Sequence, residues 1–367
     1  MLRALAIALL CASAFSSVAS AAPIKSLRFI GAATVPNDAK VDGALVGGLS
    51  GIDYDAAAGD FVAISDDKSD IAPARFFTVK LTFSTDRLFR ADMEHAVTLL
   101  QASGQPYPNS KAGGEVPDPE AIRIDPENGN VWWTSEGDRN KNLNPFLRVA
   151  DRTGRQVADI PTPPIFAVHS DKEAGGRHNL TFESLAFAPG GKSAWLGMEE
   201  AIYEDGPIAT PKAGAVARFT ELDRSGKVLR EVAYPVDAIP ATPGEGKGAD
   251  NGVSDFLADD SHLIVVERSG VQAADGQYKD YIRLYDVDPS AATDVSALPA
   301  LTGATYTPAA KQLLLNLDTA NIGYVDNIEG ISWGPKLANG SETLILVSDN
   351  NFGATQITQF LAFEVTR

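Results

Sequence analysis

Along most of the chain, apolar and polar residues alternate in short runs, which Gly, Pro, Asn and Asp interrupt. Alternation with a period of two is typical of half-buried β-strands, whereas the helical period of about 3.6 residues is nearly absent. In the stretch PEAIRIDPENGNVWWTSEGD at residues 119–138, EAIRIDP predicts one strand, ENGN a turn and VWWTSEG a second strand. The pattern therefore predicts an all-β protein built from hairpins.

This hairpin recurs, with copies that begin at residues 50, 120, 183, 254 and 329. Each copy consists of a strand a, a turn and a strand b, and the chain that follows each copy has room for further strands. Four-stranded units repeated around an axis describe a β-propeller. We therefore predict a single β-propeller of five four-stranded blades over residues 22–367. Six blades are the alternative, if a long insertion contains a degenerate blade.

The last copy supplies only three strands and ends in QITQFLAFEVT, whereas KSLRFIGAATVP near the N-terminus is a strand without a hairpin of its own. We expect the segment near Leu27–Val35 to pair with the segment near Phe360–Val365 and to close the ring as the outer strand of the last blade. An open ring would expose an unpaired strand edge. Deletion of residues 24–36 is therefore expected to destabilise the fold severely.

Carboxylates recur at both ends of the hairpin. Because strands a and b are antiparallel, the start of strand a lies beside the end of strand b, near the axis on one face of the propeller. The strand-a column contains Ser50, Glu120, Glu183, Ser254 and Glu329. The strand-b column contains Asp66, Glu136, Glu199, Glu267 and Asp349. The two columns predict eight carboxylates around one mouth.

The charge of the chain changes what such a mouth can bind. The formal net charge is −17, which disfavours nucleic acid and anionic membrane surfaces as partners. Clustered carboxylates need bound cations, nearby Lys or Arg, raised pKa values or greater separation, since two like charges about 4 Å apart repel by roughly 4 kcal/mol at an effective dielectric of about 20. Hard oxygen ligands favour Ca²⁺, and less strongly Mg²⁺. A repeated acid can equally be structural and accept hydrogen bonds from the backbone of the next blade.

The first residues have the features of an export signal. Arg3 precedes the apolar run ALAIALLCASAF, and Ala19-Ser20-Ala21 fits a signal-peptidase site. The run is too short for a stable membrane anchor, and it contains Cys11, the single cysteine of the chain. We expect residues 1–21 to be a signal peptide and the cysteine-free remainder to be a monomeric periplasmic or secreted protein without disulfides.

The ordered motifs LSGIDYD…FVAISDD, PARFF, PEAIRIDP…WWTSEG and GRHNLTFESLAFAPGGK…MEE resemble the phytase-like family, which is described as having esterase-like activity of phytase. The resemblance extends roughly from Leu27 to Val365, and in GRHNLTFES a family-like core survives as Asn179, Phe182 and Glu183. It implies a propeller and hydrolysis of phosphate or other esters. In β-propeller phytases Ca²⁺ ions bridge protein carboxylates and substrate phosphates, although their individual ligands do not map onto this chain residue by residue.

These observations predict a Ca²⁺-dependent hydrolase that acts on a small anionic substrate such as a phosphate ester. The predicted metal ligands are Glu120, Glu183, Glu329, Asp66 and Asp349. The predicted catalytic acid–base residues are Glu136, Glu199 and His178. The predicted substrate-binding residues, chosen because a guanidinium group matches oxyanions, are Arg75, Arg139, Arg177 and Arg268. Each arginine has the alternative role of a salt-bridge partner of the neighbouring acids.

Two other functions remain open at this level. A non-catalytic propeller could hold a metal or small ligand in the same mouth, and a Ca²⁺-assisted lactonase or carboxylic esterase could polarise a carbonyl there. A serine nucleophile elbow is not indicated, because GGLSGI has Ile52 where the motif G-x-S-x-G requires its last glycine.

Overall fold

The computed structural model describes residues 22–367; the predicted signal peptide at residues 1–21 lies outside them. Within the described range the chain forms β-strands and short 3-10 helices only. The outer strand β1 and the small hairpin β2–β3 come first: β1 (Ser26–Val35), β2 (Lys40–Val41) and β3 (Ala44–Leu45). The 3-10 helices are Arg139–Lys141, Pro164–Phe166, Tyr203–Asp205 and Leu317–Thr319.

The remaining strands form antiparallel four-stranded sheets, and over residues 22–367 these sheets number five, as predicted. Blade 1 contains β4 (Leu49–Asp55), β5 (Asp60–Ser65), β6 (Arg75–Phe83) and β7 (Leu88–Thr98). Blade 2 contains β8 (Pro119–Ile124), β9 (Val131–Ser135), β10 (Phe146–Ala150) and β11 (Gln156–Ile160). Blade 3 contains β12 (Phe182–Phe187), β13 (Ser193–Met198), β14 (Ala215–Asp223) and β15 (Val228–Val236). Blade 4 contains β16 (Gly252–Asp259), β17 (His262–Gln272), β18 (Tyr278–Asp288) and β19 (Ala310–Asn316). Blade 5 contains β20 (Ile328–Gly334), β21 (Glu342–Ser348), β22 (Thr358–Thr366) and β1.

Blade 5 closes the ring in the predicted way. Strand β1 pairs antiparallel with β22, so that Leu27 lies opposite Val365 and Val35 opposite Thr358. The N-terminal strand therefore supplies the outer edge of the last blade, which confirms the expected pairing. This contact joins the two ends of the described chain and leaves no open blade between them.

The first strands of the blades (β4, β8, β12, β16 and β20) surround the central axis. Their backbones approach closely: a Cβ on Gly51 would lie 2.6 Å from the carbonyl oxygen of Glu120, and one on Gly330 would lie 3.1 Å from the Cα of Gly51. Glycine is therefore required at both positions, because any side chain would push neighbouring inner strands apart.

Each inner strand carries a β-bulge at its start. The pairing register shifts by one residue there in every blade, and the residues at these shifts are the strand-a column, Ser50, Glu120, Glu183, Ser254 and Glu329. A bulge removes a residue from the ladder and re-aims its side chain. Ser50 and Ser254 then donate hydrogen bonds to the backbone of the next blade, to the carbonyls of Glu120 and Ile328. The glutamates of the column line the mouth instead.

The strand-b column needs one correction, in blade 4. In the other blades the acid donates its backbone N–H to the residue that precedes strand a, as Asp66 does to Gly48 and Asp349 to Asn327. In blade 4, Arg268 occupies this position opposite Gly252, and Glu267 lies one residue earlier. The hairpin turn of blade 4 is shorter than that of blade 1, because Asp259 pairs with His262 whereas Asp55 pairs with Asp60. The position in blade 4 that is equivalent to Asp66 therefore lies closer to the start of its repeat.

Glu267 is consequently a structural residue. It is fully buried, accepts a hydrogen bond from Tyr234 at 2.7 Å and forms an ion pair with Lys311 at 2.5 Å.

Apolar layers between the blades complete the core; Trp132 packs on Phe187 towards blade 3, and Trp133 belongs to the cluster shared with blade 1. No helix in residues 22–367 has both the length and the hydropathy needed to cross a membrane.

Candidate metal-binding active site

The starts of the inner strands open into a funnel of about 730 Å³, which we call the acidic mouth. Among the described residues that line it, carboxylates outnumber cations by nine to two. The carboxylates are Asp66, Asp118, Glu120, Glu183, Glu199, Asp250, Asp280, Asp326 and Glu329. The cations are Lys68 and Arg268. This imbalance makes the mouth a strong candidate for binding cations.

Two groups of three carboxylates lie close enough to share an ion. Asp118, Glu120 and Glu136 form the first triad, and Glu136, Glu183 and Glu199 form the second; within each triad the ligand oxygens lie within 4.8 Å of one another. All five residues are buried. Glu136 belongs to both triads and lies behind the lining of the mouth, where the end of β9 meets the start of β12.

The environment of Glu136 tests whether a metal fits. Its Oε1 accepts a hydrogen bond from the backbone N–H of Thr181 at 2.6 Å. Its Oε2 is buried and receives no hydrogen bond from any amide, hydroxyl or cationic group of residues 22–367. A buried carboxylate oxygen without a donor is unfavourable unless a proton or a cation neutralises it. An all-oxygen donor set of this kind suits Ca²⁺ or Mg²⁺, so the residues present fit a hard divalent cation.

The electrostatics of the triads agree with this fit. Burial, followed by repulsion from Asp118, raises the pKa of Glu136 to about 8; the Thr181 N–H, Lys68 and a hydrogen bond with Glu183 offset these effects only in part. Burial and repulsion from Glu136 raise the pKa of Glu183 well above its ordinary value. Without a cation, the triads therefore retain protons at neutral pH, and a divalent cation must compete with them.

Arg268 lies among the acids without a firm partner. Its guanidinium nitrogens are 3.4 Å from Glu199 Oε1, 3.4 Å from Asp250 Oδ1 and 3.7 Å from Glu329 Oε1, and its Nε makes no hydrogen bond within the described chain. A close charge-assisted pair would be about 2.7–2.9 Å long. The surrounding carboxylates raise the pKa of Arg268, so it stays cationic. Lys68, in contrast, is engaged by Asp118 at 2.5 Å.

The remaining predicted ligands belong to blade 1 (Asp66) and blade 5 (Glu329 and Asp349). Asn327 donates a hydrogen bond to Glu329 Oε1 at 2.7 Å, and Asn351 donates its backbone N–H to Asp349 Oδ1 at 2.7 Å. Burial and then repulsion from Asp349 raise the pKa of Asp66 well above its ordinary value. Asp66, Glu329 and Asp349 are therefore close to the triads but outside both of them.

The structure brings Glu120 and Glu183, both predicted metal ligands, to the lining of one mouth, whereas Asp118 was not among the residues predicted from the sequence. Asp118 lies two residues before Glu120, directly ahead of strand a, which is the position that Asn327 occupies before Glu329. The signal in the sequence that could have indicated Asp118 was a polar residue two positions before a glutamate of the strand-a column.

Other predicted site residues do not line the mouth. Arg75 is buried and its Nη1 pairs with Asp67 at 2.7 Å, so its guanidinium is committed to a structural contact. Arg177 donates to the carbonyls of Ala201 and Gly206 while its guanidinium carbon lies 4.0 Å from the centroid of the Tyr203 ring.

Arg139 and His178 lie outside the lining as well. Arg139 donates to the carbonyl of Lys172 at 2.9 Å, and the His178 ring lies 3.2 Å from the Asn140 amide nitrogen on an exposed loop. Of the four predicted substrate-binding arginines, the structure brings only Arg268 into the mouth among its described lining residues. The other three arginines and His178 are absent from the described lining, and their predicted roles stay predictions.

Comparison with known proteins adds a family. A family model described as "Phytase-like: Esterase-like activity of phytase" matches residues 44–352. Among proteins with curated descriptions, none matches this chain.

Several solved structures share a similar arrangement at low sequence identity. The GH43 endo-arabinanase from Bacillus licheniformis is 13% identical with a TM-score of 0.39, covering 89% of this chain and 96% of that chain. A duf4221-family member from Bacteroides vulgatus is 8% identical with a TM-score of 0.38, covering 94% and 100%. A periplasmic gluconolactonase from Pseudomonas aeruginosa is 12% identical with a TM-score of 0.31, covering 79% and 99%. These low scores support no conclusion about function.

Proposed function

This chain belongs to the Phytase-like family, and on that premise we propose that it is a divalent-cation-dependent hydrolase of phosphoric or carboxylic esters. The observation that carries the proposal is the pair of buried carboxylate triads that share Glu136, whose Oε2 accepts no hydrogen bond from an amide, hydroxyl or cationic group of residues 22–367. A structural acid would have both oxygens hydrogen-bonded, as Glu200 does with the backbone N–H groups of Ala201 and Ala209.

The two triads would hold the cation, which we propose to be Ca²⁺ rather than Mg²⁺ because Ca²⁺ accepts many oxygen ligands in variable geometry, whereas Mg²⁺ demands a near-ideal octahedron and retains several waters. When bound, such an ion supplies Lewis-acid polarisation of an ester oxygen and lowers the pKa of a water molecule. Asp66, Glu329 and Asp349 lie beside the triads and would keep the site negative enough to attract the ion.

We assign Glu199 as the residue that accepts a proton from the attacking water. Glu199 lines the mouth, whereas Glu136 lies behind the lining, and a general base must reach the proton that it removes. Burial raises the pKa of Glu199, and Arg268 partly opposes this by favouring the ionised form. Glu199 therefore belongs to the second triad and also lies 3.4 Å from the guanidinium group of Arg268.

Arg268 is the substrate-binding residue of this proposal. Its Nε has no hydrogen-bond partner in the described chain, and its other contacts are loose, so the guanidinium group can donate to an oxyanion without breaking a strong ion pair. Donors directed at the oxygen where negative charge develops are a major source of ester-hydrolase rate enhancement.

The test combines cation binding with activity. Metal-stripped protein is titrated with Ca²⁺ and Mg²⁺ by calorimetry and is assayed on phosphate and carboxyl esters with and without each ion. Glu136→Gln is expected to abolish both binding and turnover, whereas the control Glu200→Gln is expected to lower stability but to bind Ca²⁺ normally. Ca²⁺ binding without turnover of any ester would instead indicate a non-catalytic binding propeller, and unchanged Ca²⁺ binding in Glu136→Gln would exclude the triads.

Export forms part of the same proposal. The apolar run and Ala19-Ser20-Ala21 lie at positions that the structure does not describe, and residues 22–367 contain no cysteine. Expression of the full sequence, cell fractionation and N-terminal sequencing of the product test it directly. A product found in the cytoplasm with its first residues intact would overturn this part.

A further inference from the structure

A second cavity adjoins the acidic mouth. It has a volume of about 530 Å³ and lies between β18 and the segment 317–325 that leads into blade 5; we call it the side groove. Tyr278, Asp280 and Tyr324 line both cavities. The two cavities therefore share a boundary at these three residues.

An extended hairpin forms one wall of this space. Strands β17 and β18 have 11 residues each, whereas β9 has 5 and β13 has 6. The extra length follows Arg268 and carries the hairpin beyond the rim, so that Gly276 and Gln277 at its tip line the mouth. Blade 4 therefore makes the mouth asymmetric and gives the groove its position.

The side groove is chemically unlike the mouth. Its lining includes the apolar side chains of Ile282, Leu317, Ile322 and Val325. Its charged residues are Lys279, Asp280 and Asp318; Lys279 and Asp318 form an ion pair at 2.9 Å, and Asp280 lies at the junction with the mouth. A cavity of this size that combines apolar side chains with several polar groups can serve as a small-molecule subsite.

Two tyrosines stand at the junction and remain exposed. Tyr278 is 61% exposed and Tyr324 is 63% exposed. Such rings present an apolar face to a ligand at low conformational cost, because they have few rotatable bonds. Burial and the neighbouring Asp326 raise the pKa of Tyr324 to about 12, so its ring stays neutral at physiological pH.

The charge of the mouth limits the rest of the ligand. Nine carboxylates against two cations line the described mouth, and one divalent ion in each triad would still leave the acids in excess. A ligand with many negative charges, such as an inositol polyphosphate, would be repelled by this surplus. A ligand with at most one anionic group would not be strongly repelled by this excess of carboxylates.

We propose that the side groove binds the apolar or aromatic, non-reacting part of the substrate, and that this substrate is an ester with at most one anionic group. The inference rests on the hydrolase function proposed above and narrows its substrate class. The occupant is the alcohol or acyl portion of the ester, because the groove borders the mouth in which, on the function proposed above, the ester bond would be cleaved.

The groove is tested first without catalysis, by titrating metal-stripped protein with 1-naphthol and following naphthol fluorescence. In the double variant Tyr278→Ala/Tyr324→Ala the dissociation constant is expected to rise about tenfold, since two ring contacts are lost. The double variant with Phe at both positions keeps the rings and is expected to stay within about twofold of the wild type. Phe89→Ala, which removes a 53% exposed ring from the outer strand of blade 1, is the matched control.

The substrate class is tested next, with 1-naphthyl acetate, 1-naphthyl phosphate and inositol hexakisphosphate in the presence of Ca²⁺. The double alanine variant is expected to raise KM about tenfold for the naphthyl esters with little change in kcat, because the groove binds ground state and transition state alike. Faster turnover of the hexakisphosphate than of naphthyl phosphate would overturn the charge limit.

The two hypotheses fail in different ways. Unchanged naphthol affinity in the double alanine variant would overturn the groove, even if the wild type hydrolyses esters. Absence of turnover on every ester, together with the expected loss of naphthol affinity, would overturn the hydrolase while supporting the groove as a ligand site.

Discussion

The two ends of the propeller axis use buried charge in opposite ways. At the acidic mouth, carboxylates outnumber cations among the described lining residues, and no amide, hydroxyl or cationic group in the described chain donates to Glu136 Oε2. Farther along the same inner strands, Arg123 and Asp255 form the axial ion pair, in which Arg123 Nη2 lies 2.8 and 2.7 Å from the two carboxylate oxygens. Both residues are buried.

The axial ion pair is saturated with hydrogen bonds. Asp255 also accepts the backbone N–H groups of Phe256 and Ile331, and Arg123 also donates to the carbonyl of Ile52. These contacts tie the inner strands of blades 1, 2, 4 and 5 together across the axis. Buried charges that are paired and fully hydrogen-bonded brace a fold, whereas unmatched ones are retained at sites that bind something. This contrast, rather than the mere presence of buried acids, is the reason to regard the mouth as the candidate site.

The largest expected effect comes from breaking the axial ion pair. Arg123→Met leaves Asp255 buried without its cation and is expected to lower the free energy of unfolding by about 3–5 kcal/mol. Urea unfolding of metal-stripped protein measures the change. The double variant Arg123→Met/Asp255→Leu is expected to recover much of the loss, and Ca²⁺ affinity per folded molecule is expected to be unchanged. A large loss of Ca²⁺ affinity in the single variant would show that the two ends are coupled.

The second-largest expected effect is that the free energy of unfolding of the metal-free protein depends on pH. Glu136 has its pKa raised from an ordinary 4.5 to about 8, so the folded state keeps a proton that the unfolded chain releases. Stability from this group is greatest below its unfolded pKa and is lost as the pH rises towards about 8. We expect the free energy of unfolding to fall by roughly 2–3 kcal/mol between about pH 5 and pH 8. Saturating Ca²⁺ should flatten the profile, and a profile that rises over this range would contradict the assignment.

A smaller change in stability distinguishes a carboxylate whose two oxygens are both hydrogen-bonded from one with an oxygen that lacks an amide, hydroxyl or cationic donor. Glu136→Gln retains the carbonyl oxygen for the Thr181 N–H and removes the unmatched charge, so metal-free protein at about pH 8 is expected to gain roughly 1–2 kcal/mol of stability. Glu200→Gln is the matched control, because both Glu200 oxygens accept backbone N–H groups and an amide cannot replace both. It is expected to lose stability under the same conditions. Loss of stability in both variants would remove the distinction drawn between the two kinds of acid.

The sequence was sufficient for the architecture because the relevant signals are local. Alternation, turn residues and the repeated hairpin predicted five blades and the closure by β1, and the pairing of β1 with β22 confirms both. The strand-a column was also found, since Glu120 and Glu183 share a position in the repeat and the same bulge.

The details of the site depended on features that no local pattern encodes. A two-residue difference in turn length moved Arg268 into the strand-b column and Glu267 out of it. Proximity in sequence to Asp66 did not reveal that Arg75 pairs with Asp67 instead. Asp118 joins the first triad only because the pairing of β8 with β9 brings Glu136 beside it, where the Glu136 N–H donates to the Asp118 carbonyl. Each of these outcomes is set by tertiary packing rather than by residue type.

The smallest expected effect concerns the cation that lies within the mouth itself. Arg268 is the counterpart of Arg123, but its nitrogens stay 3.4 to 3.7 Å from the surrounding acids. Its removal breaks no close ion pair, so the loss of stability in metal-free Arg268→Gln is expected to be smaller than that in Arg123→Met. Removing a positive charge beside the triads is expected to tighten Ca²⁺ binding by roughly threefold to tenfold, while kcat for ester hydrolysis falls because the oxyanion loses a donor. Calorimetry and steady-state kinetics measure the two effects, with the exposed Arg155→Gln as the control in which neither changes. Weaker Ca²⁺ binding in Arg268→Gln would mean that Arg268 holds the acids in place, as Arg123 does at the other end, and the contrast between the two ends would no longer distinguish a binding site from a brace.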